Sequence, residues 1–599
     1  MGNSADALQA IQQHIDNQEF TQAISALKKR VTQFPQDYQA WLLLSQCLYN
    51  TGFYNEAVLV GQNAEKFDPL QQSFSDIQQL IQSQKFAQAE TLAEKMLNEQ
   101  PGHPRAIFTL AHLSQQKQDL QTSNTYLAHG LAHSPANLVL RQMYINGLES
   151  SGDFQQALDN LDTLVSLQKN FANLWRQINL RLKLGQHEAS LDACAEAESL
   201  SQLNQQQGSQ LQLARGQCLR ILGKRDDSIK ALKQSLRLNP QNADAWWALA
   251  DMKNYQFTDQ DKQALTELLM RPDVPQISKC LATFSLAKAS ESDKDNATTM
   301  ALYNKANQLY NLDRYQPENV DKEFELRKQT FSKTVLDTQA PLDANEPRPI
   351  FILGLPRSGS TLVEQILASH SQIEGTFEQP TMACIERNAH NLCLSQHKTG
   401  FFSAIENLTP EQLHRLGQDY IKKGALFRQT NRPFFTDKQP FNFRHIGLIH
   451  KILPQALIID VRRNPLDCGF SLYKQYFPSG VAFSFNLQHI AHFYNAYVDL
   501  MTHWETLIPT NIISVQYEEL IQNPETQVRK LLKGIGLEYQ QQCLNFYASK
   551  RKVHTASSEQ VRQPINNKGI GSWNPFAQEL QQLKAALDKK TLQRFSTYL

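Results

Sequence analysis

Apolar residues recur with a helical period through the first half of the chain, and the whole pattern repeats about every 34 residues. Proline marks the repeat ends at Pro35, Pro69, Pro101 and Pro135; Lys169 stands where the next would fall, and Pro240 follows after a longer interval. Six positions beyond several of these lies a large apolar residue: Trp41, Ile107, Trp175 and Trp246. A small residue recurs three positions after each turn, at Ala23, Ala57, Ala89, Ser123, Ala157, Ser190 and Ser228. Only a small side chain there lets two helices approach closely. Thr51-Gly52-Phe53 and Ser151-Gly152-Asp153 supply turn chemistry. One helix pair cannot bury its apolar face alone, so the pattern predicts pairs stacked into one continuous core.

This pattern resembles tetratricopeptide repeats over about residues 5–255. The resemblance implies an α-solenoid over residues 1–310, with 301–309 as a last amphipathic helix. Such solenoids present a concave surface to peptides or partner proteins, and the recurring Trp and Phe residues read as core. Residues 311–346 read as a linker to a second domain over 347–599, most clearly in Gln339-Ala340-Pro341-Leu342-Asp343-Ala344-Asn345-Glu346-Pro347.

The pattern changes at Arg348. Pro349–Leu353 is a short apolar run suited to a buried strand, Gly354-Leu355-Pro356-Arg357-Ser358-Gly359-Ser360-Thr361 follows, and 362–368 has helical spacing. Strand, glycine turn and helix start make an anion cradle of backbone N–H groups and helix dipole. A kinase-type loop needs a lysine before its Ser/Thr, but here Ser360 directly follows Gly359 and Arg357 is the basic residue. A second strand-like run, 456–461, leads into Arg462-Arg463-Asn464-Pro465-Leu466-Asp467, with Ser471 beyond.

These segments resemble the sulfotransferase family that uses 3′-phosphoadenosine 5′-phosphosulfate (PAPS) and releases 3′,5′-ADP. The resemblance covers about residues 347–580 and implies a P-loop-like α/β domain with a central parallel sheet. It assigns Arg357, Ser358, Gly359, Ser360 and Thr361 to the phosphosulfate, and Arg463 and Ser471 to the 3′-phosphate. Thr436-Asp437-Lys438-Gln439-Pro440 is similar to a segment of tyrosylprotein sulfotransferases, which makes Lys438 the catalytic lysine. Residues 557–566 resemble that family's donor-covering loop. Ser557 is then the transition-state serine, and Gln560 and Arg562 are donor contacts. Gly571-Ser572-Trp573 matches a Gly-x-Trp element of bacterial relatives with repeats, although Asn574 replaces a basic residue. Glu378, 21 residues after Arg357, matches the offset of the catalytic glutamate. His370, His445 and His554 are the alternative bases. Arg462 reads as a charge facing solvent or a domain boundary. The repeats, lacking any catalytic motif, are expected to select the acceptor or mediate assembly and to stand apart from donor binding.

Composition narrows the partners. Lys plus Arg number 59 against 58 Asp plus Glu, a net +1 that gives no bulk attraction to nucleic acid or anionic membrane. The eight cysteines form no C-x-x-C pair and read as buried free thiols, which fits a reducing compartment. Residues 1–6 lack the pattern of a secretory signal, and no run of about 18 apolar residues exists, so a cytoplasmic location without a membrane span is expected. No ligand spacing implies a metal. A hydroxyl is the expected acceptor. It is a tyrosine in a peptide or protein by the closest motif, or a group on a glycan, lipid or small phenol. A repeat scaffold with an inactive nucleotide fold is the reading from another class. Oligomeric state stays open.

Overall fold

The computed structural model describes residues 2–252, 255–310, 314–343, 345–548 and 560–598, without the side chains of 2–7 and 560. It divides into two compact units, Met1–Arg181 with Leu394–Gln396, and Leu182–Cys393 with His397–Leu599.

The first unit is built of helix pairs, from Phe20–Gln33 and Tyr38–Asn50 to Leu138–Ser151 and Phe154–Leu167. The small residues that set the repeat are fully buried in both units, from Ala23, Ala57 and Ala89 to Ser190 and Ser228. The proline spacing has a hydrogen-bond origin. Six residues past the proline, Trp41 Nε1 donates to the Pro35 carbonyl at 2.8 Å, and Arg141 Nη2 donates to Pro135 at 2.5 Å. Two residues past it, Asp37 and Asn137 cap the next helix by accepting from Ala40 and Leu140 N–H. These two interrepeat turns therefore satisfy groups that the helix ends on either side leave open.

The second unit opens with repeats of the same kind. There Trp246 Nε1 donates to the Pro240 carbonyl at 3.1 Å, and Asn242 caps the helix Ala243–Ala250. The repeats run through the helices Gln276–Ser292 and Asn296–Leu309. Then comes a five-stranded parallel sheet of β1 (Arg348–Gly354), β2 (Ile373–Glu374), β3 (Phe434–Asp437), β4 (Leu457–Arg462) and β5 (Ile512–Gln516), in the order β2-β3-β1-β4-β5. The central strands β1 and β4 are buried on both faces, as in a sheet covered on both sides. In β1, Ile350 and Ile352 face one core with Val363, Ile366 and Leu531, whereas Phe351 and Leu353 face the other with Phe443, Tyr497 and Trp504.

That second core runs into the repeats. Cys280, Phe284, Met300 and Tyr303 belong to it, and Tyr310 stacks on Phe485 with ring centroids 3.5 Å apart. The stretch read as a linker carries the helices Pro317–Thr330 and Lys333–Asp337, with Phe324, Phe331 and Leu336 buried in the same core. Its polar surface residues hid the few apolar anchors that fold it. All eight cysteines are buried and unpaired. No described helix is long and apolar enough to cross a membrane.

A cut at the expected boundary would therefore open a core. A fragment of residues 182–599 is expected to unfold cooperatively, whereas 311–599 should lose cooperativity and bind a hydrophobic dye. Thermal melts followed by near-ultraviolet circular dichroism decide it; equal cooperativity in the two fragments would contradict the shared core.

Candidate active site

Sheet order gathers the motifs. β1 lies between β3 and β4, all three run parallel, and the chain leaves each at the same edge. Out of β1 comes the loop Gly354–Gly359, then the helix Ser360–Ala368. Gly354 has φ +137° and Gly359 φ +102°, conformations that side chains rarely adopt. A Cβ at Gly354 would collide with the Val461 carbonyl, and one at Gly359 with the Tyr517 ring. Arg357 also adopts positive φ, +72°, a strained turn held by its surroundings. Its Nε donates to Ser471 Oγ at 3.0 Å, so the residues expected at opposite ends of the donor meet. Burial lowers the proton affinity of the Arg357 guanidinium, which Asp251 opposes and Arg463 reinforces. Ser358 Oγ is buried at the start of this helix without a protein partner.

Out of β4 comes the second basic segment. Arg463 Nη1 donates to the Arg357 carbonyl at 2.9 Å, Nη2 donates to the Gly569 carbonyl, and its Nε is buried without a partner. The guanidinium also lies 4.9 Å from the centre of the Tyr517 ring. Arg462 behaves differently from expectation. It is buried and paired with Asp460 at 2.6 Å and with Glu505, so it is a core ion pair and not a charge facing solvent. Asp467 ties down the Gly-x-Trp element. Its carboxylate accepts from Gly571 N–H and Ser572 Oγ, each at 2.8 Å, and from Trp573 N–H at 3.3 Å.

Lys438 follows β3. It is buried and its Nζ forms an ion pair with Glu378, whose side chain is 40% exposed. Glu364, on the helix after the phosphate loop, sets this pair in place. It accepts from Phe377 N–H at 2.9 Å and Thr436 Oγ1 at 3.1 Å, and Phe377 has φ +66°. Asp437 is fully buried, and Tyr420 Oη donates to it at 2.9 Å. Burial pushes its carboxyl up to about 7 against the opposing hydrogen bonds of Tyr420 and Asn442.

A cavity of about 770 Å³ lies against the loop and the second basic segment. Arg357, Gly359, Ser360 and Thr361 line it, as do Arg463, Ser471 and Arg562. Glu378, Lys438 and Ser358 do not. Ser557 and His554 lie outside the described residues, as does the Gln560 side chain. Of the other alternative bases, His370 is held by the Glu538 carbonyl and His445 by Glu386, which also pairs with Arg327.

The repeats were expected to stand apart, yet Arg220, Asp251, Tyr255, Lys288 and Glu291 are walls of this same cavity. The turn at Ile221–Gly223 also accepts Arg562, whose Nη2 donates to the Ile221 carbonyl at 3.1 Å. The repeat helices hold the segment bearing Ser471. Lys474 pairs with Glu291 at 2.6 Å, Tyr473 Oη donates to Asn304 at 2.8 Å, and Asn307 Nδ2 donates to the Tyr473 carbonyl at 3.0 Å. Nothing in the sequence motifs marks these residues, nor Glu364. Asp467 and Asp437 lie inside the motifs, but the sequence gives neither a role. Among the described residues, no three His, Cys, Asp or Glu side chains gather as a metal site would.

Residues 349–541 match the sulfotransferase family, and 2–71 and 213–252 match the tetratricopeptide repeat. An uncharacterized protein of Aquifex aeolicus is 31% identical over 369 residues, 60% of this chain and 48% of that protein. This chain thus spans about half of that relative's length. Protein-tyrosine sulfotransferase 1 of Danio rerio is 24% identical over 263 residues, 40% of this chain and 70% of that one. The solved sulfotransferase domain from the Synechococcus PCC 7002 olefin synthase aligns with a TM-score of 0.31 and 24% identity, covering 44% of this chain and 98% of that one.

Asp437 makes a pH prediction. The folded protein keeps this proton up to about 7, whereas the unfolded carboxyl loses it near 3.8. Its contribution to stability is therefore full at low pH and lost as pH rises through that window. Asp437→Asn still offers Tyr420 an acceptor, so unfolding free energy should decline less steeply between pH 5 and 7 than in wild type. Chemical denaturation at a series of pH values measures this, and superimposable slopes would contradict the buried neutral carboxyl.

Proposed function

We propose, for a chain whose residues 349–541 are a sulfotransferase-family domain behind tetratricopeptide repeats, that it moves a sulfuryl group from PAPS to an acceptor hydroxyl. The observation that carries this reading is the meeting of the two basic motifs. The Arg357 loop and the Arg463–Ser471 segment touch through two hydrogen bonds on the wall of one cavity. The residues suit an anion: Arg463, on the cavity wall, has a buried Nε that still lacks a protein partner. Helix dipole and backbone N–H groups at Ser360 add to it.

PAPS supplies a sulfuryl group whose bond to the phosphate breaks as the bond to the acceptor oxygen forms, leaving 3′,5′-ADP. In this reading the Gly354–Thr361 loop holds the 5′-phosphosulfate, while Arg463 and Ser471 hold the 3′-phosphate. Glu378 takes the acceptor proton, its exposed carboxylate being oriented by Lys438. Arg357, Lys438 and Ser557 stabilise charge on the reacting oxygens. Gln560 and Arg562 lie on the loop over the donor. Positioning and charge stabilisation do most of the work, as in phosphoryl transfer. A tyrosine hydroxyl in a peptide or protein is the acceptor we favour, because the Danio rerio relative is a protein-tyrosine sulfotransferase. The outer repeats would recruit that protein.

Arg463→Ala should weaken 3′,5′-ADP binding by about 1.5–3 kcal/mol, the worth of a charge-assisted contact. Binding of 5′-AMP should barely change, and calorimetry showing equal losses for the two nucleotides would remove Arg463 from this role. Glu378→Gln keeps the shape but not the base, so turnover should fall by roughly 10²–10⁴-fold at unchanged donor affinity. Single-turnover transfer from labelled PAPS measures it, and full turnover would place the base elsewhere.

A further inference from the structure

Among the described residues, the cavity wall carries eight cationic side chains against two carboxylates, and five of these charged groups, Arg220, Arg225, Asp251, Lys288 and Glu291, come from the repeats. Lys288 is the repeat cation best placed to matter. It sits in the last turns of the helix Gln276–Ser292, which is fixed from both sides. Glu291 of that helix accepts from Lys474 at 2.6 Å and from Tyr303 Oη at 2.7 Å. Those two donors occupy the carboxylate, and Lys288 Nζ stands 3.7 Å from it, beyond hydrogen-bond length. Two lysines thus face one carboxylate, leaving a net positive charge on the wall. Burial disfavours the Lys288 cation; Glu291 and Asp251 favour it, and Lys474 and Arg357 disfavour it. A half-buried ammonium next to other cations gains most from an incoming anion.

We propose that the donor site is composite, with Lys288 of the last repeats a direct ligand of the anionic nucleotide held by Arg357 and Arg463. The repeats then do more than recruit an acceptor: they complete the pocket for the co-substrate. This rests on the donor reading above. It extends that reading to a residue outside the sulfotransferase-family segment.

The test is calorimetric titration of 3′,5′-ADP into the full-length protein and its Lys288→Ala, Lys288→Gln and Lys288→Arg variants. Loss of a charge-assisted contact predicts about tenfold or greater weakening in the Ala and Gln variants and near-normal binding in the Arg variant. Thermal midpoints measured without nucleotide identify any variant that fails to fold, in which case Lys288→Gln carries the test. Unchanged affinity in a folded Ala or Gln variant overturns the proposal and leaves the donor reading standing. Equal losses in all three, Arg included, overturn it by making Lys288 a packing residue. Failure of the wild type to bind 3′,5′-ADP overturns the donor reading and this proposal together.

Discussion

The pairing of β1 with β3 on one side and β4 on the other brings the site together. Parallel neighbours end at the same edge, so the phosphate loop, Lys438 and Arg463 are neighbours although up to about a hundred residues separate them. That arrangement needs a sheet buried on both faces, which the alternating Ile350-Phe351-Ile352-Leu353 run supplies. It also needs two glycines: Gly354 lets the loop leave against β4, and Gly359 lets the helix start under Tyr517. A side chain at either would push the loop off the groups that hold Arg357 and Arg463 together.

Carboxylates hold the loops that strand ends alone leave loose. Glu364 joins the phosphate-loop helix to the Phe377–Glu378 turn and to β3, so the candidate base is fixed relative to the loop. Asp467 joins the Arg463 segment to the Gly-x-Trp element. Glu291 joins the repeats to the helix bearing Ser471, through Lys474. Each is a buried or half-buried acid bonded to two or more donors, the condition under which such a group organises its surroundings without a large desolvation penalty.

Much of this is legible in the sequence where residue type and spacing recur. The repeats announce themselves because Ala23, Ala57 and Ala89 must all be small and Pro35 and Pro135 must accept from the residue six ahead. The phosphate loop is readable because positive φ demands glycine. What escapes is pairing between distant residues. Arg462 resembled a spare charge because, besides Asp460 two residues before it, its partner is Glu505, 43 positions away. The Lys474–Glu291 pair spans 183 residues and has no motif. Residues 317–337 looked like linker because Phe324, Phe331 and Leu336 are few among many charges, yet each is buried. The sequence separates repeats from catalytic segment, and the shared core and shared cavity rejoin them.

In the function we propose, the cavity at the Arg357 loop takes a nucleotide bearing a 3′-phosphate and a sulfuryl group. Side-by-side calorimetry of PAPS and ATP with the full-length protein tests it most directly. PAPS should bind roughly ten- to a hundredfold more tightly than ATP, since ATP lacks the 3′-phosphate that Arg463 and Ser471 would hold, and added magnesium should leave the PAPS affinity unchanged. Preferential, magnesium-dependent binding of ATP would contradict it.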